Sequence, residues 1–271
     1  MSSASALRAG ALGLALLTAC ARPASQKIVI TGSSTVAPLV AEIGKRFESQ
    51  HPGVQVDVQS GGSGRGVADA RGGLADVGMV SRALEDDESD LRPVTIALDG
   101  VCVIVHSANP VAALSDEQVV AIYSGMATNW KEVGGRDAPI TVVNKAEGRS
   151  TLELFCRHYQ LENADIRAHV VIGDNQQGIK TVAGNPDSIG YVSIGTAEFE
   201  AGSGTPIRLL SVGGVAASIA NVANRTFPLS RPLNLVTPGE SAGLVELFLD
   251  FAASPAVHDL VREQYFVPIE N

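Results

Sequence analysis

Apolar and polar positions follow two different periods along this 271-residue chain. Apolar residues alternate with polar ones at 54–59, and short runs rich in β-forming residues stand at 27–32 and 76–81, so all three segments are predicted as strands. Residues 37–53 and 67–75 instead carry apolar side chains at helical spacing, and a Pro-Gly pair closes the first of these segments. The order strand, helix, strand, helix, strand predicts a mostly parallel sheet with helices on both faces.

A second series of the same kind follows a strand-rich stretch at residues 94–110. Its predicted elements are a helix at 115–125 capped by Ser115, a strand at 139–144, a helix opened by Arg149, Ser150 and Thr151, a helix near 176–184, a strand at 188–193, an extended stretch at 227–237 and a helix at 241–254. Two α/β units joined by extended crossings predict a two-lobed α/β protein with its ligand in the cleft between the lobes. The predicted first lobe is 27–107 plus 225–271, the second is 108–224, and we expect hinge closure near 93–107 and 225–237.

The first twenty residues differ from the rest, because Arg8 is their only charged residue and residues 9–19 are almost all apolar or small. An apolar stretch of this length is too short to span a bilayer and is typical of a secretory signal. It ends in Leu17-Thr18-Ala19-Cys20, which resembles a bacterial lipobox. The resemblance implies cleavage before Cys20, a lipid on its thiol and a short tether at residues 21–26. The alternative is an ordinary secretory signal beside an incidental cysteine.

Charge and cysteine content limit the class of ligand. The chain has a net charge of −9, and without residues 1–20 it keeps 19 Lys and Arg against 29 Asp and Glu, a net charge of −10. Nucleic acids and anionic membrane surfaces are poor partners for such a chain, and an aromatic content of 4% argues against a sugar site. Cys102 and Cys156 lie outside any Cys/His cluster, so we predict neither a metal nor another cofactor. We expect two buried thiols, with a disulfide between them as the alternative.

Glycine and hydroxyl residues stand together after three of the predicted strands. The runs are Thr31-Gly32-Ser33-Ser34-Thr35, Ser60-Gly61-Gly62-Ser63-Gly64 and Lys145-Ala146-Glu147-Gly148-Arg149-Ser150-Thr151, each followed by a predicted helix. A helix start leaves about four backbone N–H groups unpaired and carries roughly half a positive charge, which suits an anion. Each run alone also fits ordinary helix capping. Three equivalent runs predict one shared anion site built mainly from neutral donors.

At this point the sequence resembles a known family, the PstS-like substrate-binding proteins of phosphate ABC transporters. The resemblance is carried, in family order from about Lys27 to the C-terminus, by TGSSTVAPLVAEIGKRFE, SGGSGRGVADARGGLADVGMVSRAL, TNWKEVGG, SIGYVS and FPLSRPLNLVT. It implies a type II periplasmic-binding-protein fold, in which two lobes joined by two crossover strands close on a dehydrated oxyanion. It also implies a monomeric, extracytoplasmic, lipid-anchored protein that delivers inorganic phosphate to permease subunits.

The resemblance assigns the anion contacts to the three helix starts and to the turn after the third strand. The implied phosphate-binding residues are Ser34, Thr35 and the backbone N–H of Val36, then Ser63, then Ser81 with Arg82, and finally Lys145, Arg149, Ser150 and Thr151. The family often has Arg-x-x-Gly-Ser-Gly-Thr at the last helix start, so Arg149 replaces a small hydroxyl residue. Its guanidinium either grips two anion oxygens, which we favour, or points to solvent.

A second departure from the family concerns the choice of anion. Some members carry an aspartate where Ser81 stands, and a carboxylate there accepts the proton of HPO₄²⁻ and rejects fully ionised sulfate. With a serine in its place, this discrimination requires Glu147 or a backbone carbonyl as the acceptor. Phosphate is therefore the first expectation, and sulfate and molybdate stay open.

Catalysis is the main alternative from another class. Ser63 lies in Gly61-Gly62-Ser63-Gly64-Arg65, which departs from the G-x-S-x-G elbow at Arg65. The five histidines belong to no recognisable acid–base motif, and the sequence has neither a P-loop nor a dinucleotide fingerprint. We therefore expect a binding protein and no enzymatic activity. An anion sensor or scavenger without a dedicated permease is the other alternative.

Overall fold

The computed structural model describes residues 26–270. Its strands are β1 Gln26–Gly32, β2 Val54–Ser60, β3 Val77–Val80, β4 Leu91–His106, β5 Thr141–Lys145, β6 Val170–Ile172, β7 Ser188–Ser193, β8 Ile207–Leu209, β9 Ser230–Pro238 and β10 Val267–Pro268. Its helices are α1 Ala37–Gln50, α2 Ser63–Arg71, α3 Asp116–Tyr123, α4 Ser150–Tyr159, α5 Asn175–Ala183, α6 Ile194–Gly202, α7 Ile219–Ala223, α8 Gly243–Ala252 and α9 His258–Glu263. The predicted signal segment, with Cys20, lies outside the described residues.

The strands form one curled path in the order β2-β1-β3-β9-β4-β7-β5-β6. Neighbours are parallel within each half of this path, where β1 pairs with β2 and β3, and β5 pairs with β6 and β7. The long strands β4 and β9 are antiparallel to each other and to the strands beside them. The predicted α/β fold is therefore confirmed, and β4 and β9 are its two crossings.

The two largest hydrophobic cores of the described residues divide the molecule into two lobes, and a third cluster of four buried residues lies in the first lobe. The core of the first lobe runs from Ile28 to Ala97 and resumes from Leu233 to Phe266, whereas that of the second lobe runs from Val101 to Leu229. The chain therefore passes from the first core to the second inside β4, before the predicted lobe boundary after residue 107. It returns to the first core inside β9, after the predicted lobe boundary before residue 225. Movement of the lobes as separate domains stays a prediction.

The helix α2 begins four residues earlier than the predicted start at residue 67. Glycines in the preceding run predict a break in the chain, yet Gly64 and Gly66 are both helical. A Cβ on Gly66 would lie 2.7 Å from the carbonyl oxygen of Met79, so glycine lets α2 pack directly against β3. This tertiary contact outweighs the low helix propensity of glycine and makes Ser63 the first residue of α2.

Both cysteines of the described part are free thiols. Burial raises the pKa of Cys102 well above its usual range, and raises the pKa of the partly buried Cys156 to about 11. The expectation of a buried thiol is therefore right for Cys102 and wrong for Cys156, because Cys156 lies at the edge of the second core. Within residues 26–270, no helix combines the length and apolar character needed to cross a bilayer.

Candidate anion-binding site

The three glycine–hydroxyl helix starts and the turn after β3 meet at one place between the lobes. The guanidinium of Arg231 marks it, because its donors reach a hydroxyl from each of three segments. These hydroxyls are Thr35 Oγ1 at 3.4 Å, Ser81 Oγ at 3.4 Å and Thr151 Oγ1 at 3.0 Å. The start of α2 joins them through Ser63, whose Oγ accepts from the backbone N–H of Ser81 at 3.1 Å. Segments far apart in the chain therefore meet at one buried place, called the gap below, where an anion would lie.

Arg231 is held in place by Asp99, its direct partner across β4 and β9. Its Nε and Nη2 both donate to Asp99 Oδ2, at 3.1 and 2.8 Å, and both side chains are almost completely buried. The other carboxylate oxygen accepts from Ser193 Oγ and from the N–H of Gly195. Since an unpaired buried ion costs several kcal/mol, this pairing allows Arg231 to lie inside the protein. Arg231 therefore affects the site by directing hydrogen bonds, with its net charge balanced.

The bonds around two serines determine where their hydroxyl protons point. Ser33 Oγ accepts from the backbone N–H groups of Thr35 and Val36, at 3.2 and 3.4 Å, and this occupies both of its lone pairs. Its own proton therefore goes to Ser81 Oγ, 2.9 Å away. Ser81 Oγ accepts this proton and a second one from Arg231, so its hydroxyl is left to donate into the gap.

Thr35, at the same helix start as Ser33, is arranged in the same way as Ser81. Its Oγ1 accepts from Arg231 Nη2 and, at 3.2 Å, from Asn175 Nδ2, so its proton is also available to a ligand. Thr151 and Ser63 accept one hydrogen bond each, and neither hydroxyl donates to a protein atom within residues 26–270. The site therefore presents a set of hydroxyl donors, as an oxyanion requires.

The start of α4 supplies two donors that are unbonded among the described residues. Ser150 Oγ and Arg149 Nε are both buried without a hydrogen-bond partner, which costs about 1–3 kcal/mol per group unless a ligand satisfies it. Arg149 lies against the opposite lobe, since a Cβ on Gly62 would be 3.0 Å from its Cδ. The stem of Arg149 therefore lies beside the start of α2, and contact of its guanidinium with an anion stays a prediction.

Lys145, the last residue of β5, reaches the site through Asn175. Its side chain is buried, and its Nζ donates to Asn175 Oδ1 at 2.9 Å. The amide of Asn175 in turn donates to Thr35. Burial lowers the pKa of Lys145 to about 7, and the charges of Arg231 and Arg149 act in the same direction. Near neutral pH, the protonation of Lys145 therefore depends on the charges around it.

Glycine is required where the starts of α2 and α4 face each other. Gly62 has a φ of +102°, and a Cβ there would lie 2.5 Å from the carbonyl oxygen of Gly148. The N–H of Gly64 donates to the same carbonyl oxygen at 3.2 Å. The lobes therefore touch backbone to backbone at this point, which leaves no room for a side chain at position 62.

Arg82, predicted as an anion contact, is bound elsewhere. Its Nε donates to Glu153 at 2.5 Å, and its Nη1 and Nη2 donate to Glu88 at 2.6 and 2.8 Å. Although burial lowers it, these two carboxylates raise the pKa of Arg82 above its usual value. Two acids that the sequence could not place therefore occupy its guanidinium, and its contact with an anion stays a prediction. Arg82 instead connects the first lobe to α4 of the second.

Two further residues named from the sequence are hydrogen-bonded within the protein. The N–H of Val36 donates to Ser33 Oγ at 3.4 Å, and its contact with an anion stays a prediction. Glu147 is exposed and accepts from Asn163 Nδ2 at 3.2 Å, so it supplies no acceptor for a protonated anion. Ser34 lies at the edge of the site and lines the adjoining cavity described below.

The sequence alone did not point to Arg231, Asp99 or Asn175. Asp99 and Arg231 do carry a signal, because each is a charge set among apolar residues of a strand, where a buried charge needs a partner. Their pairing depends on the register of β4 against β9, which periodicity does not reveal. Asn175 carries no such signal, since a polar residue after the capping Asp174 is ordinary at a helix start.

A cavity of about 480 Å³ adjoins the site between the lobes. The first lobe contributes Ser34, Thr35 and Glu263 to its lining, and the second lobe contributes Asn175 and Phe199. Since Thr35 and Asn175 belong to both, the cavity and the anion site are contiguous. Two α/β lobes, two crossing strands and a buried group of donors between the lobes together define a two-lobed solute-binding protein.

Comparisons with known proteins identify the same class. The model of the PBP superfamily domain matches residues 18–256. The phosphate-binding protein PstS of Bacillus subtilis is 29% identical over 253 residues, covering 92% of this chain and 82% of that protein. PstS of Borreliella burgdorferi is 27% identical over 274 residues, covering 96% of both.

A solved structure extends the likeness to the whole fold. It is described as a phosphate ABC transporter substrate-binding protein from Clostridium perfringens with bound phosphate, and it superposes with a TM-score of 0.82 at 30% identity. The superposition covers 90% of this chain and 100% of that one. The chain therefore belongs to the PBP superfamily, among the PstS-like substrate-binding proteins of the type II fold.

Proposed function

We propose that this chain captures inorganic phosphate between its lobes and delivers it to the permease subunits of an ABC transporter. The observation that carries the proposal is the group of hydroxyls around Arg231, whose protons point into the gap. The unbonded Ser150 Oγ and Arg149 Nε beside them support it. The ligand named for the relatives from B. subtilis and C. perfringens supports the choice of phosphate.

Binding without catalysis is the inference from the same contacts. Within residues 26–270, the hydroxyls of Ser63, Ser81 and Thr151 donate to neither a histidine nor a carboxylate. A hydroxyl nucleophile needs such a base to be activated. The site therefore offers donors for an anion and lacks the pairing that would make a hydroxyl reactive.

The site attracts an anion locally although the chain is acidic overall. Asp99 balances the charge of Arg231, whereas Lys145 and Arg149 form no ion pair among the described residues. With Lys145 protonated, the two remaining charges match a dianion such as HPO₄²⁻. Hydrogen bonds to a charged group contribute about 1.5–3 kcal/mol each, so several converging donors give tight binding.

Sulfate is the second candidate, and the shortage of acceptors favours it. Ser81 carries a hydroxyl in the place of an acid, and Glu147 points away from the site. Both oxygens of Asp99 are already occupied, by Arg231 on one side and by Ser193 and Gly195 on the other. Neither Asp99 nor Glu147 is therefore left to accept the proton of HPO₄²⁻, which is the group that distinguishes phosphate from sulfate, and a backbone carbonyl would have to accept it instead.

We also propose that the protein works as a monomer outside the cytoplasm, held to a membrane by a lipid on Cys20. The lipid anchor rests on the lipobox-like segment alone, which lies outside the described residues, whereas the monomeric state and the location rest on the likeness to PstS proteins. Mass spectrometry of the membrane fraction, with Cys20→Ala as the control, should find a diacylglyceryl mass only in the unsubstituted chain. An unmodified N-terminus in both would remove the anchor from the proposal.

Calorimetry tests the ligand directly. Phosphate-stripped protein lacking residues 1–20 is titrated separately with phosphate, sulfate and molybdate. We expect saturable binding of one phosphate per chain and weaker or no binding of the other two. Heat with none of the three would end the binding assignment, whereas sulfate binding without phosphate would change only the ligand.

Variants of the α4 start test the site. Ser150→Ala and Arg149→Ala should each weaken phosphate binding by about 1.5–3 kcal/mol, because each removes a donor to the charged ligand. The melting temperature of the phosphate-free protein should not fall, since neither group has a protein partner to lose. The matched control is Ser49→Ala at the exposed end of α1, which should bind like the parent protein. Parent affinity in the Arg149 variant would assign its guanidinium to the surface.

A further inference from the structure

Lys145 is a buried cation without an acidic partner. Its side chain belongs to a residue that is only 3% exposed, and no carboxylate of the described residues lies within ion-pair distance of its Nζ. Its one hydrogen bond goes to Asn175 Oδ1, at 2.9 Å. The same oxygen also accepts from the backbone N–H of Ser193, at 3.3 Å. Because this amide oxygen is neutral and shared between two donors, it offsets little of the cost of burying a charged ammonium group.

The groups around Lys145 add to this imbalance. Arg149 at the start of α4 and Arg231 on β9 both disfavour a positive charge on Lys145. The effect of Arg231 is reduced by its ion pair with Asp99 on β4. Asp174, before α5, is the one acid that favours the charge, and it already caps that helix. On β7, the hydroxyl of Tyr191 accepts from the backbone N–H of Lys145 at 3.3 Å. The strand β6 contributes only valine and isoleucine.

We propose that Lys145 takes up a proton when the oxyanion enters, so that ligand binding is coupled to proton uptake and the site becomes doubly positive only around its ligand. This inference rests on the proposed anion-binding function of the same site. Without the anion, Lys145 and Arg149 are two cations in one poorly solvated gap, and loss of one proton relieves their repulsion. A dianion reverses this preference, because it attracts both charges at short range.

The direction of the pH dependence follows from the free protein. Burial, aided by Arg231 and Arg149, lowers the pKa of Lys145 to about 7 from an ordinary value of 10.5. Above about pH 7 the free site therefore holds fewer protons than the complex. Binding then consumes protons, and anion affinity falls as the pH rises, by up to about tenfold per pH unit.

Calorimetry in two buffers of different ionisation enthalpy measures the coupling. We use inorganic phosphate at about pH 8.5, where the ligand itself is almost entirely the dianion and the free Lys145 is mostly neutral. The parent protein should take up close to one proton for each phosphate bound. Phosphate binding with no proton uptake would overturn the inference and leave the proposed function intact, whereas absence of phosphate binding would overturn both.

The variants Lys145→Met and Lys145→Arg identify the group that takes up the proton. Methionine cannot titrate and arginine stays charged, so both should bind phosphate with no proton uptake, the methionine variant at least tenfold more weakly. Proton uptake that persists in either variant would assign the proton to the anion, bound as H₂PO₄⁻, and would overturn the inference. The pH dependence of the affinity between about pH 8 and 9 should flatten in the same two variants.

A measurement without ligand remains decisive if neither variant binds phosphate. A lysine whose pKa is lowered by folding destabilises the protein most below its folded pKa, and this penalty disappears as the pH rises toward the unfolded value. The unfolding equilibrium constant of the phosphate-free parent should therefore fall by up to about tenfold per pH unit between about pH 8 and 10, relative to Lys145→Met. Parallel pH profiles of the two proteins would show that Lys145 is already fully charged in the free site, and the inference would fail.

Discussion

At the scale of single residues, the site depends on which lone pairs are already occupied. Ser33 is not placed to hold the anion, because its oxygen accepts from two N–H groups of the turn before α1 and its proton goes to Ser81. That proton fills an acceptor position on Ser81 and so turns the Ser81 hydroxyl toward the gap. Ser33 is therefore a positioning residue, whose influence on the ligand passes through its neighbour.

Ser33→Ala should weaken phosphate binding about fivefold, because Ser81 regains a free lone pair and its proton is no longer directed outward. The substitution also removes the acceptor for the N–H groups of Thr35 and Val36 in the turn before α1, which costs about 1 kcal/mol of stability. Calorimetry and chemical unfolding separate the two effects. Ser115→Ala is the matched control, since it removes the cap of α3 away from the site and should lose stability with unchanged affinity. Equal affinity in both variants would contradict the role assigned to Ser33.

At the scale of elements, glycine determines how closely helix starts approach one another. The start of α2 meets the start of α4 at the contact between Gly64 N–H and Gly148 O. Gly62 lies beside this contact with a left-handed φ, where a Cβ would overlap the same carbonyl oxygen. The two starts can therefore share one anion only if position 62 has no side chain.

Gly62→Ala should weaken phosphate binding more than tenfold, because its methyl group separates the start of α2 from that of α4. The matched control is Gly53→Ala, which has a similar φ of +92° and no atom within 4 Å of the added Cβ. Both variants carry backbone strain of order 1–3 kcal/mol, so both should be less stable. Only the first should lose affinity in calorimetry, and equal affinities would show that the lobes do not need this contact.

At the scale of the whole molecule, ion pairs across the cleft support the contact between lobes. Arg82 of the first lobe donates to Glu153 of the second at 2.5 Å, and Glu85 of the first lobe pairs with Arg157 of the second at 2.6 Å. The pair of Arg82 and Glu153 is the less exposed of the two and therefore the less screened. These contacts favour the arrangement in which the donors from both lobes converge.

Glu153→Gln should weaken phosphate binding about threefold to tenfold, because loss of the charge makes approach of the lobes less favourable. Small-angle scattering of the phosphate-free variant should give a larger radius of gyration than that of the parent protein. Asp90→Asn is the control, since the pair of Asp90 with Arg71 lies within the first lobe and is exposed. If both variants bind phosphate like the parent protein, the ion pairs do not contribute to closure.

Much of the fold was predictable because it depends on local pattern. The strand at 188–193 and the cap at Ser115 are where the period and the capping box predict them. The start of α2 was not predictable, because local rules disfavour Gly64 and Gly66 in a helix while contact with β3 favours them. The glycine and hydroxyl composition of the helix starts also predicted that they would meet, since parallel strands bring their carboxyl ends together.

By itself, the sequence determined the α/β order of elements, the donors at the helix starts and the kind of ligand that such donors suit. Only the tertiary structure decided how charges are shared among these donors. It gave Arg82 to Glu88 and Glu153, brought Arg231 to Asp99, and left Lys145 with an amide as its partner. The physical reason is the distance along the chain between the residues that interact. Helix starts and periods arise from neighbours in the chain, whereas a buried charge takes its partner from whichever strand the register sets beside it.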